Sequence, residues 1–211
     1  KGEAPAAADG AAILEPRIIR GNDRVIAPAK PVPRLDGPPS SFKFEEAPIA
    51  EVVRTMLGDI LKVDYVLHPP LNGSITLATR AAVPPDQAIF LLETALQANG
   101  LLMVRDARGT YHVGRPDALK NIGAAVRQVG NGPLPPGSGA VVVPLQFIGA
   151  GEMATILRPL MPADALVRVD TMRNLLVLAG TRTQAEGWLD LIDTFDVDLL
   201  KGMSVGVFPL K

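Results

Sequence analysis

His68 and His112 are the two histidines of the chain, and no cysteine accompanies them. Imidazole can move a proton near neutral pH or hold a transition metal. A protein metal site ordinarily gathers three or four clustered ligands. Two histidines far apart in sequence are too few, so both read as ordinary strand or turn residues. Glu45-Glu46 could act as paired carboxylates, but neighbours on a strand point to opposite faces. They read instead as a solvated edge and the approach to a helix. Asp190, Asp193, Asp196 and Asp198 could attract Ca²⁺, yet the glycine-bearing loop spacing of an EF-hand is absent, which leaves a solvated face. Gly149-Ala150-Gly151 lacks the third glycine of a dinucleotide fingerprint and the Gly-Lys-Ser/Thr of a P-loop. Ser41, Ser74, Ser138 and Ser204 have no glycine-flanked nucleophile motif around them. No residue is assigned as catalytic, cofactor-binding or metal-binding, and no enzyme is expected.

The bulk numbers agree. The chain has 211 residues, a formal net charge of −1 and no cysteine, with a pI near 6.2. No basic block is present, which argues against nucleic acid and anionic lipid as partners. The apolar runs are short and broken by charges or helix breakers, so none spans a membrane as a helix. The chain opens at Lys1 without a signal peptide, as expected of a processed or excised piece. Twenty prolines, twenty glycines and 4% aromatics indicate small modules joined by punctuated linkers.

The elements follow from periodicity. Residues 1–40 carry PAKPVPRLDGPP and sustain no apolar period, so they read as a Pro-rich tether. Within them RIIRGNDRVIA has hairpin grammar about Gly21-Asn22-Asp23. Residues 41–115 read as one α+β unit. SFKF is a strand, and Ile49, Val52, Val53, Met56, Leu57, Ile60 and Leu61 mark an amphipathic helix opened by Pro48. VDYVL and SITLAT are strands. A second helix runs from Pro84-Pro85-Asp86 to Gly100, and LLMVRD pairs with TYHVG. The order is β-α-β-β-α-β-β.

GNGPLPPGSG marks 116–139 as a linker that would let the flanking units move. Residues 140–197 read as β-α-β-β-α. AVVVPLQ is a strand, and Met153, Ile156, Leu157, Leu160 and Met161 line a helix whose last turn Pro159 weakens. LVRVD and NLLVLAG are strands, and Thr183-x-x-Glu186 is a capping box for the last helix. This unit is KH-like in outline, but it has no GxxG loop for nucleic acid. AVVVPLQF and SVGVFPLK match around Val-x-Pro-Leu. Residues 198–211 therefore read as a linker and the first strand of a further repeat.

FKFEEAPIAEVVRTMLGDILKVDYVLHPPLNGSITL, PPDQAIFLLETALQANGL and YHVGRP together resemble the N0 domain of bacterial secretins, also the signalling-type domain of some outer-membrane receptors. The second unit, with ILRPLMP, RNLLVLAGT and LIDTFDVD, resembles the secretin N1 domain. DLLKGMSVGVFPLK is similar to lipoprotein-type secretins of type II secretion systems. The resemblance implies the periplasmic part of a homo-oligomeric outer-membrane ring that exports folded proteins. The first unit would dock the inner-membrane assembly-platform protein and the second would pack around the ring. A pilotin or lipid anchor would act outside this region.

Competing readings are a secretin of a type IV pilus or related system and a receptor-signalling (TonB-dependent transducer-like) interaction module. On any of them the chemistry is recognition by surfaces. Short sheets expose strand edges that accept another strand. Phe42, Lys43 and Phe44 on one strand and Ile75, Thr76 and Leu77 on another are the candidate partner-binding residues, with Phe42 and Phe44 equally candidates for core.

Overall fold

The computed structural model describes residues 26–28, 32, 34–130 and 132–198. The hairpin expected at 17–27 lies almost wholly outside them, and so does the repeat strand expected within 198–211.

The first unit begins with β1 (Lys43–Pro48) and α1 (Ile49–Val53). The helix continues through Arg54–Ile60 with a wider π spacing, closed by the Leu61 N–H donating to the Met56 carbonyl at 2.9 Å. Ile49, Val52, Val53, Met56 and Leu57 form its fully buried face, as the spacing predicts. There follow β2 (Tyr65–His68), β3 (Ser74–Ala78), α2 (Pro85–Ala98), β4 (Leu102–Arg105) and β5 (Tyr111–Gly114). The strands divide into an antiparallel ribbon, β1-β3, and a three-stranded sheet in the order β2-β5-β4. In that sheet β2 runs parallel to β5 and β4 antiparallel to it. Both sheets pack on α1 and α2 around one core that includes Phe42, Ile75, Leu92, Met103 and Val113.

Two details depart from expectation. The first strand lies further along than SFKF, and it contains a bulge. Phe44 pairs with Leu77 and Ala47 with Ile75, so Glu45 and Glu46 together oppose Thr76. Glu46 sits at φ +45°. The bulge defeats simple alternation, and both glutamates are exposed.

The second unit has its own core. It comprises β7 (Gly139–Pro144), α4 (Ala150–Leu157) with a 3₁₀ turn at Arg158–Leu160, β8 (Leu166–Asp170), β9 (Leu175–Gly180) and α5 (Arg182–Phe195). The 3₁₀ turn is the weakening expected at Pro159. The capping box on α5 begins two residues before the expected position. The Gln184 N–H donates to Thr181 Oγ1 at 3.3 Å, and Gln184 Oε1 accepts the Thr181 N–H at 3.1 Å. Thr181-x-x-Gln184 and Thr183-x-x-Glu186 both satisfy the pattern. The strand ends at Gly180, which selects the first.

Residues 116–139, expected as a loose linker, touch both units. They contain α3 (Pro116–Leu119) and β6 (Arg127–Gln128). β6 pairs parallel to β7, giving the sheet of the second unit the order β6-β7-β9-β8. The Ala125 N–H donates to the Arg105 carbonyl at 2.9 Å, and the Ser138 N–H to the Met103 carbonyl at 2.6 Å. Leu119, Arg127 and Leu134 are buried. The segment is proline- and glycine-rich because it bends repeatedly while staying packed. Among the described residues no helix is long and apolar enough to cross a membrane.

Candidate partner-binding site

Five of the six candidate residues lie on the β1-β3 ribbon and Phe42 immediately precedes it, but their side chains divide. Phe42 is 7% exposed and Ile75 2%. Phe44 and Leu77 are half-buried against the same core. The Phe42 and Phe44 ring centroids lie 6.0 Å apart. Only Lys43 and Thr76 face outward, Lys43 in an ion pair with Glu45 at 2.6 Å and Thr76 Oγ1 accepting the Glu46 N–H at 3.1 Å. Next to the paired strands, Thr79 Oγ1 accepts the Phe42 N–H at 3.2 Å, and the Thr79 N–H donates to the Phe42 carbonyl at 3.0 Å. The ribbon therefore presents a polar face. Each strand has one strand neighbour among the described residues, so each offers an outer backbone edge. The core-facing aromatics fix the ribbon's position, and the edges are what a partner strand could use.

The junction between the units is built from residues that the sequence marks at most as helix starts and caps. Glu93 on α2 is 2% exposed. It accepts the Arg182 N–H at 2.9 Å and the Gly137 N–H at 3.2 Å. Burial pushes its carboxyl above the usual glutamate value, against those two N–H donors and the charges of Arg127 and Arg182. Arg182 grips Asp86 with both terminal nitrogens at 3.2 Å, meets Glu186 through Nε at 2.9 Å and lies 5.5 Å over the Phe90 ring. Burial opposes its charge, but the two carboxylates hold its pKa above the ordinary arginine value. The Thr181 hydroxyl donates to Gln97 Oε1 at 3.1 Å. Arg127 donates from Nη2 to the carbonyls of Gly139 and Gly180 at 2.8 and 2.6 Å. Its Nε and Nη1 are buried without a hydrogen-bond partner. Burial lowers its pKa to about 10, and Glu93 counters that. α2 thus seats the N-terminus of α5 through a specific polar contact. One sequence cue existed: a glutamate on the apolar face of α2, between Leu92 and Leu96.

The remaining candidates resolve differently. Asp196 accepts the N–H groups of Gln146, Phe147 and Ile148 at 2.7–3.0 Å. It closes the β7–α4 loop, with Asn174 bracing the other side. No group of three acidic, histidine or cysteine side chains among the described residues is placed to hold a metal. His68 and His112 do meet, however. His68 Nε2 lies 3.0 Å from His112 Nδ1, and His112 Nε2 lies 3.2 Å from Asp106 Oδ2.

Comparison with known proteins follows this architecture. Residues 42–113 match the family model for the GspD-like N0 domain. The chain is 39% identical, over 97% of its length, to the secretin XpsD of Xanthomonas campestris pv. campestris, and spans 28% of that protein. Its fold is similar to a chain of the Klebsiella pneumoniae type II secretion outer-membrane complex of PulD, PulS and the PulC HR domain. That likeness has a TM-score of 0.54 at 22% identity and covers 72% of this chain and 26% of the other.

Proposed function

This chain belongs to the type II secretin family, whose N-terminal domains it carries, and from that premise we propose that it forms the periplasmic part of an outer-membrane channel exporting folded proteins. The carrying observation is the identity to a secretin sustained through both units. A receptor-signalling module shares the first unit alone, so that alternative is not favoured. The first unit docks the inner-membrane platform protein of the same system through the β1-β3 ribbon. Lys43 and Thr76 contact the partner there, while Phe42, Phe44, Ile75 and Leu77 hold the ribbon in place. The relative of similar fold in the Klebsiella complex is seen together with an HR domain of PulC, which supports this choice of partner. The second unit packs beside its own copies in a homo-oligomeric ring, a head-to-tail contact whose rotation must close. The function is recruitment and gating, with no catalysis.

The test is capture of the periplasmic segment of the platform protein from the same genome by the 211-residue chain. Binding should slow amide exchange in 43–48 and 74–78. Binding that leaves both strands unprotected would reject the ribbon. Failure of the full-length protein, extracted in detergent, to form rings visible by electron microscopy would reject the channel.

A further inference from the structure

The outer face of the three-stranded sheet in the first unit carries an unassigned cluster. In the parallel pair β2-β5, Val66 lies opposite His112 and His68 opposite Gly114. Residues two apart share a face, so His68 and His112 are diagonal neighbours on one side. Tyr111 and Val113 point into the core on the other. Gly114 makes the approach possible. A Cβ there would stand 2.8 Å from His68 Cβ, closer than real Cβ atoms come, and 3.1 Å from the His68 carbonyl oxygen. The glycine lets His68 lean across β5.

The second histidine is oriented from behind. Asp106 Oδ1 accepts the N–H groups of Arg108 and Thr110 at 2.8 and 3.0 Å. Asp106 Oδ2 faces His112 Nε2. With that oxygen as acceptor, His112 carries its proton on Nε2 and turns the Nδ1 lone pair toward His68. A carboxylate behind a histidine is the recurrent outer support of metal-binding imidazole.

We propose that His68 Nε2 and His112 Nδ1 form a two-histidine site for a borderline divalent transition-metal ion on the outer face of this sheet. Two nitrogens about 2.1 Å from one ion and at right angles to each other stand about 3 Å apart, near the spacing observed, so the ion takes the place of the His68–His112 hydrogen bond as the two rings turn toward it. That geometry suits the tetragonal preference of Cu²⁺ and Ni²⁺, with Zn²⁺ accommodated by a small opening, and imidazole selects all three over Ca²⁺ and Mg²⁺. The His112 and Asp106 side chains are 13% and 22% exposed, so water can reach the ion and complete its coordination. When the ion binds, His68 carries its proton on Nδ1 in place of Nε2. The ion would pin the edge strand β2 to β5. Residues 69–73, which follow His68, lead directly into β3 of the ribbon.

The experiment is calorimetric titration of the tag-free 211-residue chain with Cu²⁺, Ni²⁺ and Zn²⁺, with Mg²⁺ and Ca²⁺ as controls. These two histidines are the only ones in the chain, so no other imidazole competes. One ion per chain is expected for the transition metals, with no heat from the controls. Binding should disappear in His68→Gln and in His112→Gln, and weaken about 10–100-fold in Asp106→Asn. In the unaltered chain, substoichiometric Ni²⁺ should broaden the NMR signals around His68 and His112 first, a readout that needs no variant to fold. Equal affinity in His68→Gln, or broadening centred on another region, would overturn the site.

Discussion

Glu93 is a carboxylate that the fold would rather keep protonated. Its pKa in the native protein stands above the ordinary value of 4.5, chiefly through burial. A group whose folded pKa is raised binds its proton more tightly in the native state. Its contribution to stability is fully present below the unfolded value and is lost as pH rises through the folded one. Stability should therefore decline from pH 4.5 upward for this group, and Glu93→Gln should flatten that part of the profile. The same variant leaves the Gly137 N–H without its acceptor or sets two donors against each other, a loss of about 1–3 kcal/mol. Urea midpoints across pH for both proteins measure slope and offset separately. Two glycines make a second residue-level contrast. A Cβ on Gly180 would sit 2.8 Å from two carbons of the Trp188 ring, so Gly180→Ala should cost about 1–3 kcal/mol by overpacking. Gly187 is exposed in the middle of α5 and meets nothing within 4 Å. Gly187→Ala should stabilise by about 0.5–1 kcal/mol, read from the same denaturation curves.

At the scale of elements, helices and strands were legible wherever a buried stripe repeats. Ile49 to Leu57 and Met153 to Leu157 declare their faces because burial selects the same side at every turn. Composition misled over 116–139. Proline and glycine mark bends, but Arg127 and Leu134 show that the bends are packed. What decides this is a carboxylate 34 positions earlier on α2 and an arginine 55 positions later on α5, which no local window sees. The histidine pair was illegible for the same reason. Its members touch only once β2 lies beside β5, and a parallel pairing leaves no hairpin turn in the sequence to announce it. The junction itself yields a prediction. Arg182→Ala removes the contacts to Asp86, Glu186 and Phe90. The first two carboxylates are 54% and 38% exposed, so solvent screens them and the stability loss from the pairs should stay below about 1 kcal/mol. The larger effect should be local. Amide exchange at 134–139 should speed up, while exchange in α4 and β9 stays as it was.

For the whole molecule, exposed apolar side chains are distributed unequally. The first unit shows Val66 alone, at 41% exposure, whereas the second shows Phe147, Leu160, Val167, Met172, Phe195 and Val197, each above 40%. Phe147 and Phe195 flank the Asp196 clamp. Val167 borders an open cavity of about 590 Å³ with Met161, Pro162, Arg158 and Arg168. A two-fold contact uses one surface twice, whereas a ring needs two different surfaces that meet head to tail. We propose that the region about Phe147 and Phe195 and the region about Val167 form the two halves of that lateral contact, which leaves the polar ribbon on the other unit for a different partner. Val167→Glu puts a charge into the proposed lateral contact without touching either core. The fold should hold within about 0.5 kcal/mol, since the side chain is already 59% exposed. Ring yield of the full-length protein should fall, as a charge buried without a partner opposes association, while capture of the platform protein by the 211-residue chain should persist. Phe42→Ala should do the reverse. It empties a core position at about 3–5 kcal/mol and loosens the ribbon, so platform binding goes first. Loss of both activities in both variants would mean that docking and ring closure share a surface, and the division of labour between the two units would fall.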